Sequence, residues 1–320
     1  MLPIFTQLDL KDPAAVTRAL LEGARACREA ACRRGSIEVI GPFNRAYDET
    51  SLEPQTRSAP TLIATGDLHD NPLHLARVTL AAGLGDPAGE VPRSHLTLHE
   101  LIHSDNIVNH TDFSFRVLAR AAAMKAAFPE HVHVLLANHE LAQLTGAEVV
   151  KEGVRCVQAF EAGIEAAFGE EAPGVSAAVN AFLAALPLAL RVRMRAEDSS
   201  PPRDLFCAHS LPSAFHASRF DAGVFDRALR PEDYLPRTGA AYQLVWGRGH
   251  TPEDLAALGD AWGVGTFLLG HEKAENGYNV LCDRGVIINS DHEAGAYLRI
   301  DLSREWSGRW APRDSVALCS

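Results

Sequence analysis

Six short apolar runs recur along this chain, and helical patterns separate them. The predicted strands are TLIAT (61–65), LTL (96–98), VHVLL (132–136), LFCA (205–208), TFLL (266–269) and GVIIN (285–289). The predicted helices cover residues 12–35, 72–82, 113–127, 154–167, 174–186 and 252–261. Strands that alternate with helices favour an α/β fold with buried sheets. Because functional crevices in such folds lie beyond the carboxyl ends of the strands, the polar residues that follow these runs form the candidate site.

The N-terminal region contains one predicted helix and a polar connection. Asp12 can cap the helix over 12–35, Pro13 suits its first turn, and Gly35 is expected to end it. Residues 49–60 are polar and contain proline, which indicates a linker or a long surface loop. We therefore expect a helical extension and linker at 1–60, followed by one large domain at 61–320.

Charge and cysteine content argue against several classes of protein. The formal net charge is −11 and the pI is near 5.7, which opposes general binding to nucleic acid or to anionic membranes. The N-terminal sequence lacks the apolar run of a signal peptide, and the longest apolar stretch, at 182–190, is interrupted by Pro187. The six cysteines (27, 32, 156, 207, 282 and 319) are scattered, as is typical of a reducing compartment. We expect a cytoplasmic protein with no membrane partner.

The first candidate residues follow the run at 61–65, in the sequence Gly66-Asp67-Leu68-His69. Residues two apart in an extended segment face the same side, so Asp67 and His69 can point at one ion. A carboxylate beside an imidazole suits Zn, Fe or Mn. The same residues also fit a turn in which the aspartate caps the following helix.

A loop rich in histidine and acidic residues follows the run at 96–98. Glu100 lies just past the strand, with His99 and His103 beside it and Asp105 and Asp112 further on. These residue types bind metals, but the pattern also fits a solvated loop. The residues alone leave both interpretations open.

Three further runs end on groups that suit metal or proton chemistry. Asn138 can offer its amide oxygen to a metal, while His139 faces the substrate as a proton donor. An alternative is that Asn138 starts a helix and the histidine beside it is incidental. His209 and His271 occupy equivalent positions after the runs at 205–208 and 266–269. Two histidines at equivalent strand ends, in a chain with both other motifs, favour a shared site.

The order of these motifs resembles that of the calcineurin-like metallophosphoesterase superfamily, and most of all its PPP-type serine/threonine phosphoprotein phosphatases. The motifs are GD-x-H, N-H-E, H-S-x-P and G-H. The connecting sequence DFSFRVLARAAAMKAAFPEHVHVLLANHE is similar to that branch's block ending in GNHE, with Phe128 where tyrosine is usual. GHEKAENGY is similar to its AHQVVEDGY. The resemblance runs from Thr61 to Leu302.

The resemblance implies a two-sheet β-sandwich flanked by helices, with a catalytic domain at 61–320 that holds two divalent or trivalent ions of Mn, Fe or Zn. The first ion would be bound by Asp67, His69 and His271, and the second by Asn138 and His209. The family's bridging aspartate belongs to a GDxVDRG motif that is absent here. Glu100 is the expected substitute, with Asp112 as the alternative.

The resemblance also gives roles to groups outside the ligand set. His139 would protonate the leaving group, oriented by Asp105 or Asp112. The arginine of the missing motif, which clamps phosphate in the family, has no aligned counterpart. Arg248, in LVWGRGHTPE, is the expected clamp, and Arg116 and Arg77 are the other candidates.

The implied activity is hydrolysis of a phosphomonoester by metal-activated water, on a phosphorylated protein or small molecule. The altered GDxVDRG region leaves a second enzymatic hypothesis open, the hydrolysis of a dinucleoside polyphosphate or another phosphodiester. It also leaves a third, a catalytically degenerate phosphate-binding scaffold.

Overall fold

The computed structural model describes residues 7–30, 33–43, 60–85, 92, 94–151, 153–194 and 204–319. The helices are α1 Pro13–Glu29, α2 Pro72–Ala81, α3 Phe115–Ala127, α4 Asn138–Thr145, α5 Cys156–Phe168, α6 Ala172–Leu183, α7 Ala214–Ala217, α8 Ala240–Trp246, α9 Pro252–Trp262 and α10 Ala311–Asp314. Short 3₁₀ helices cover Gly169–Glu171, Ala222–Asp226, Pro231–Tyr234 and Gly308–Trp310.

The strands form two large sheets and one small one. They are β1 Arg33–Arg34, β2 Ile37–Ile40, β3 Thr61–Ala64, β4 Ser94–Leu98, β5 Val132–Val134, β6 Val150–Lys151, β7 Val154–Arg155, β8 Ala189–Val192, β9 Asp204–Ala208, β10 Val264–Leu269, β11 Tyr278–Cys282, β12 Gly285–Ile288, β13 Ala296–Asp301 and β14 Ser315–Ala317. The larger sheet has the order β1-β2-β8-β9-β10-β12-β11, and the second has the order β14-β13-β3-β4-β5. The α/β class expected from the sequence is confirmed.

Parallel pairing brings the carboxyl ends of the central strands to one edge of each sheet. In the five-stranded sheet β3 pairs with β4 and β4 with β5, with Ile63 opposite Leu96 and Leu96 opposite Val132. In the seven-stranded sheet β9, β10 and β12 are likewise parallel. Parallel strands need crossover connections, and α2, α3 and α9 lie in those connections.

The two large sheets share one hydrophobic cluster. Leu62 and Ala64 of β3 lie in it together with Leu205 and Cys207 of β9. Their neighbour Phe206 belongs instead to a second cluster that contains the helices. Because residues alternate between the two faces of a strand, β9 is buried on both sides, which explains why its sequence is continuously apolar.

The N-terminal region contributes to the same core and sheet. Val16 and Leu20 of α1 are buried in the cluster that includes α3 and α6, and β2 pairs with β8 in the larger sheet. The division into an extension at 1–60 and a domain at 61–320 stays a prediction. Residues 49–59 of the expected linker and Cys32 lie outside the described residues.

The first helix is shorter than expected. It ends at Glu29, and β1 and β2 occupy part of the segment that was predicted as helix or left unassigned. Gly35 lies in the turn between these strands with a φ of +60°, so the glycine marks a hairpin and not the end of the helix. In the part of the chain that the structure describes, no helix is both long and apolar enough to cross a membrane.

Candidate metal centre

Asp67 stands where the two large sheets meet. It follows β3 and makes isolated bridges to His99, after β4, and to Asn289, after β12. Gly66 makes this approach possible, because a Cβ there would come within 1.8 Å of the carbonyl oxygen of Ile288. The Asp67 carboxylate is buried and accepts two hydrogen bonds from the backbone N–H of His271, at 2.9 and 3.1 Å.

Three of the predicted ligands have backbones in the left-handed region. The φ angles are +37° at His69, +51° at Glu100 and +69° at His271. Non-glycine residues seldom adopt this conformation, and such strained positions concentrate at functional sites. The turns end each strand abruptly and direct these side chains toward a common centre.

Glu100 contacts two groups of ligand atoms through its two carboxylate oxygens. Its Oε1 lies 3.8 Å from His69 Nε2 and 3.4 Å from His139 Nε2. Its Oε2 lies 3.3 Å from His209 Nε2. A carboxylate with one oxygen in each group has the geometry of a bridging ligand, so of the two sequence candidates the structure places Glu100 at the centre.

The second group consists of three atoms that lie within 3.1 Å of one another. Asn138 Oδ1 is 2.5 Å from His209 Nε2 and 3.0 Å from His271 Nδ1, and the two nitrogens are 3.1 Å apart. His271 was expected to join Asp67 and His69, but its ring lies with Asn138 and His209. The hydrogen bond from His271 to Asp67 comes from its backbone N–H, which lies in the left-handed turn after β10.

The residues present fit a metal centre. Lone-pair atoms of an amide, three imidazoles and two carboxylates converge. In the second group the three mutual contacts cannot all be hydrogen bonds. Mixed nitrogen and oxygen ligands suit Mn, Fe and Zn.

Burial sets the proton affinities of these groups. It raises the pKa of Glu100 well above its usual range, and the neighbouring Asp67 carboxylate raises it further. Burial lowers the pKa of His209 and of His139, and that of His271 to about 3. The imidazoles are therefore neutral, as metal ligands must be, and a bound cation would offset the repulsion between the two carboxylates.

A cavity of about 620 Å³ opens onto the centre. The predicted site residues that line it are Asp67, His69, Glu100, Asn138, His139, Arg248 and His271. His209 is fully buried beneath it. Lys151 and Lys273, two of the chain's four lysines, also line this cavity.

Of the three arginines considered as phosphate clamps, Arg248 is the one that lines the cavity. Its Nη1 donates to the carbonyl oxygen of His271 at 2.8 Å, which fixes the guanidinium beside a ligand. The guanidinium of Arg116 lies over the ring of Phe113, 4.6 Å from its centre. Arg77 does not line the cavity.

Asp112 is not brought to the ligand cluster. Its carboxylate accepts hydrogen bonds from the N–H of Ser104 and from both the N–H and the hydroxyl of Ser114, at 3.2, 2.8 and 3.0 Å. These bonds shape the loop between β4 and α3. Asp105 lines the cavity and pairs with Lys151. A third residue of this loop, His103, contacts the Nδ1 atom of His139.

Sequence reasoning gave no role to His99. Its Nδ1 lies 3.1 Å from His209 Nδ1, and its Nε2 lies 2.8 Å from the carbonyl oxygen of Thr65. It thus orients a predicted ligand from behind, as carboxylates and carbonyls commonly do for metal-binding histidines. The signal in the sequence was its position directly before Glu100 at the end of β4.

By sequence, the chain matches no family model and no curated protein. By structure it is similar to a protein serine/threonine phosphatase from Saccharomyces cerevisiae, with a TM-score of 0.60 and 14% identity over 91% of this chain and 83% of the other. It is also similar to a cold-active protein-tyrosine phosphatase from a psychrophilic Shewanella species, with a TM-score of 0.53 and 15% identity over 77% of each chain. The chain has a phosphatase fold. At these identities the likeness shows the fold alone. The buried cluster of histidines and acidic residues is a separate observation on this chain, and it is compatible with metal binding.

Proposed function

We propose that this chain is a dinuclear metal-dependent phosphoester hydrolase with the two-sheet sandwich of the calcineurin-like metallophosphoesterases. The observation that carries the proposal is the position of Glu100, whose two oxygens face two separate groups of ligand atoms. One ion would be held by Asp67, His69 and Glu100. The other would be held by Glu100, Asn138, His209 and His271.

Metal ions bound here would offset the charge of a phosphoryl group and activate water for its hydrolysis. The chain's own residues do the rest. Arg248 presents a guanidinium at the cavity, where its paired N–H groups fit two oxygens of a phosphate. The N–H of His271 holds the Asp67 carboxylate in place, and His99 holds the ring of His209.

A phosphomonoester on a serine/threonine phosphoprotein is the proposed substrate, in line with the sequence motifs. A panel of aryl phosphate, phosphopeptide, phosphodiester and dinucleoside polyphosphate would separate this from the alternative small substrates. A degenerate scaffold would bind inorganic phosphate but hydrolyse none of these esters.

The test combines metal content with hydrolysis of an aryl phosphate in the presence of Mn²⁺. Purified wild-type protein is expected to hold close to two metal equivalents and to hydrolyse the ester. Asp67→Asn, Asn138→Ala and His271→Ala are each expected to abolish hydrolysis, because each removes a ligand. His216→Ala is a matched histidine control, since His216 bonds to Ser213 away from the cavity. Full activity in all three ligand variants, or a wild-type protein without metal, would refute the proposal.

A further inference from the structure

Two pairs of histidines flank Glu100. The inner rings of the pairs, His209 and His139, direct Nε2 toward the Glu100 carboxylate at 3.3 and 3.4 Å. The outer rings, His99 and His103, contact the Nδ1 atoms of the inner rings through their own Nδ1 atoms, at 3.1 and 2.8 Å. Each of these nitrogen pairs must share one proton. If the inner ring carries this proton on Nδ1, its Nε2 has a free lone pair. If the outer ring carries it, the inner Nε2 is an N–H.

In the first pair a backbone carbonyl determines which ring carries the shared proton. The carbonyl oxygen of Thr65 only accepts, so His99 Nε2 must carry a proton and donate to it. The Nδ1 of the neutral His99 ring is then an acceptor, and His209 must donate from its own Nδ1. His209 Nε2 is left with a lone pair that faces the site, as a metal ligand requires.

In the second pair a longer series of hydrogen bonds leads to the same result. The Glu161 carboxylate accepts from Ser176 Oγ at 2.7 Å and from Gln143 Nε2 at 2.6 Å. The amide nitrogen of Gln143 therefore faces Glu161, and its amide oxygen faces His103 Nε2 at 3.1 Å. His103 must donate to that oxygen, so its Nδ1 accepts the proton of His139 Nδ1.

We infer that His139 binds a metal ion through Nε2, and that His103, Gln143 and Glu161 are positioning residues that hold its proton on Nδ1. This inference rests on the proposed function. With its single proton on Nδ1, the neutral His139 ring has a free lone pair on Nε2. A proton donor would need a second proton there, and the imidazole of His103 behind the ring supplies no negative charge to stabilise the resulting imidazolium. His139 is thus the same tautomer as His209, with its proton on Nδ1 and a lone pair on Nε2.

Distances and burial fit a ligand role for His139. The ligand atoms of His69, Glu100 and His139 all lie within 4.8 Å of one another, so one ion can contact all three. His103 and His139 are almost fully buried, which favours neutral rings. Asp105 or Asp112 was expected to orient His139 as a proton donor, but the imidazole of His103 lies behind the ring instead.

The positioning residues are held by their own elements. His139 and Gln143 are four residues apart on α4 and therefore lie on one face of the helix. His103 adopts a φ of +61°, and its N–H donates to the hydroxyl of Ser114 at 3.1 Å. Glu161 and Ser176 come from α5 and α6, so three helices and a loop fix one proton.

The inference is tested by titrating the metal-free full chain with Co²⁺ and following the visible absorption of the bound ion. Wild type is expected to bind two equivalents. His139→Ala is expected to weaken one of the two sites by more than tenfold, because it removes a ligand. His103→Leu should weaken the same site about 10- to 100-fold. His103→Asn, whose Oδ1 takes the place of the Nδ1 acceptor and which tolerates positive φ, should restore binding to within about threefold.

A second measurement does not depend on metal. Two-bond ¹H–¹⁵N spectra of the metal-free protein should show the His139 proton on Nδ1 in wild type. Gln143→Leu, which removes the acceptor without altering the strained loop, should mix the two tautomers. A proton on Nε2 in wild type would overturn the inference.

The control is Cys156→Ser. The Cys156 sulfur lies within 4.8 Å of ligand nitrogens of both His103 and His139, so it offers a different metal position. The substitution should leave both Co²⁺ affinities unchanged, and a loss equal to that of His139→Ala would overturn the inference. If His139→Ala binds two Co²⁺ normally and loses only hydrolysis, His139 is a proton donor and the inference is wrong while the proposed function stands. A wild-type chain that binds no Co²⁺ would refute both.

Discussion

The backbone N–H of His271 donates to both carboxylate oxygens of Asp67, although 204 residues separate the two in sequence. Through this contact, the turn after β10 in the seven-stranded sheet holds a candidate ligand that follows β3 in the five-stranded sheet. The residue between β10 and His271 is Gly270. A Cβ there would lie 2.3 Å from Asp67 Oδ1 and 2.5 Å from His99 Cε1.

Gly270→Ala is therefore expected to displace Asp67 and His99 and to lower kcat/KM for an aryl phosphate about 100-fold, since misplacement by about 1 Å has effects of that size. Metal content should fall in parallel. Gly174→Ala is the control, because Gly174 lies in α6 with open space around its Cα. It should keep full activity and stabilise the fold by about 0.5–1 kcal/mol in urea unfolding. An active, metal-loaded Gly270→Ala protein would contradict the packing argument.

Glu100 and Asp112 can be separated as bridging ligands by metal counting. Glu100→Asp shortens the side chain by one methylene, so it can no longer reach both groups, and bound metal is expected to fall from two equivalents toward one. Asp112→Asn should retain two equivalents. It should lower the free energy of unfolding by about 1–3 kcal/mol, because its three buried hydrogen bonds cannot all be kept. The reverse result would make Asp112 the bridge.

Arg248 is expected to recognise the phosphoryl group. Arg248→Lys keeps the charge but loses the paired N–H geometry, so competitive inhibition by inorganic phosphate should weaken about tenfold. Arg248→Ala should weaken it further, with metal content unchanged. Arg116→Ala is the matched control, because that guanidinium lies against Phe113 outside the cavity lining. Equal phosphate affinity in wild type and Arg248→Ala would exclude this role.

A buried ion pair between α3 and β2 is expected to control stability. Lys125 Nζ lies 2.7 Å from Glu38 Oε1 and donates to the carbonyl oxygen of Pro129 at 2.9 Å, and His133 contacts the other Glu38 oxygen. Lys125→Met should cost about 3–5 kcal/mol, because it leaves the carboxylate buried without its cation. The double variant Lys125→Met with Glu38→Gln should recover most of that loss. Urea unfolding at pH 7 measures both, and a double variant no more stable than Lys125→Met would argue against the pair.

The Glu38 carboxylate is also expected to make the free energy of unfolding depend on pH. Burial raises the pKa of Glu38, but His133 and Lys125 lower it more, so it falls from 4.5 to about 2. A depressed carboxyl pKa stabilises the fold above the unfolded value and loses this contribution as pH falls from about 4.5 to 2. The stability difference between wild type and Glu38→Gln should therefore shrink between pH 5 and pH 3. A difference that stays constant over that range would be inconsistent with the shift.

Much of the candidate site was accessible from the sequence because polar residues interrupt apolar runs at the ends of buried strands. Asp67, Asn138 and His271 were found in this way, and the structure brings them to one cavity. The helices predicted at 72–82, 113–127, 154–167, 174–186 and 252–261 were found to within three residues, since each has an apolar face of regular spacing, whereas α4 and α8 were not predicted. The strands β8 (ALRV) and β13 (AYLRID) were missed because an arginine interrupts the apolar run in each of them.

The grouping of the ligands could not be read from the sequence. The ring of His271 lies with Asn138 and His209, and its backbone N–H contacts Asp67, an arrangement that depends on the left-handed turn at this residue. Likewise, the protons of His209 and His139 are placed by His99 and His103, whose importance depends on which acceptor lies behind each ring.

The sequence by itself determined the α/β class and the types of ligand at the strand ends, because hydrophobic periodicity and residue chemistry are local properties. Only the tertiary structure decided which candidate ligands lie together, that Glu100 faces both groups and that Asp112 accepts hydrogen bonds within the loop before α3. Those relations depend on backbone turns and on contacts between residues from both sheets. The free energy that holds them comes from packing and hydrogen bonds that are far apart in the chain.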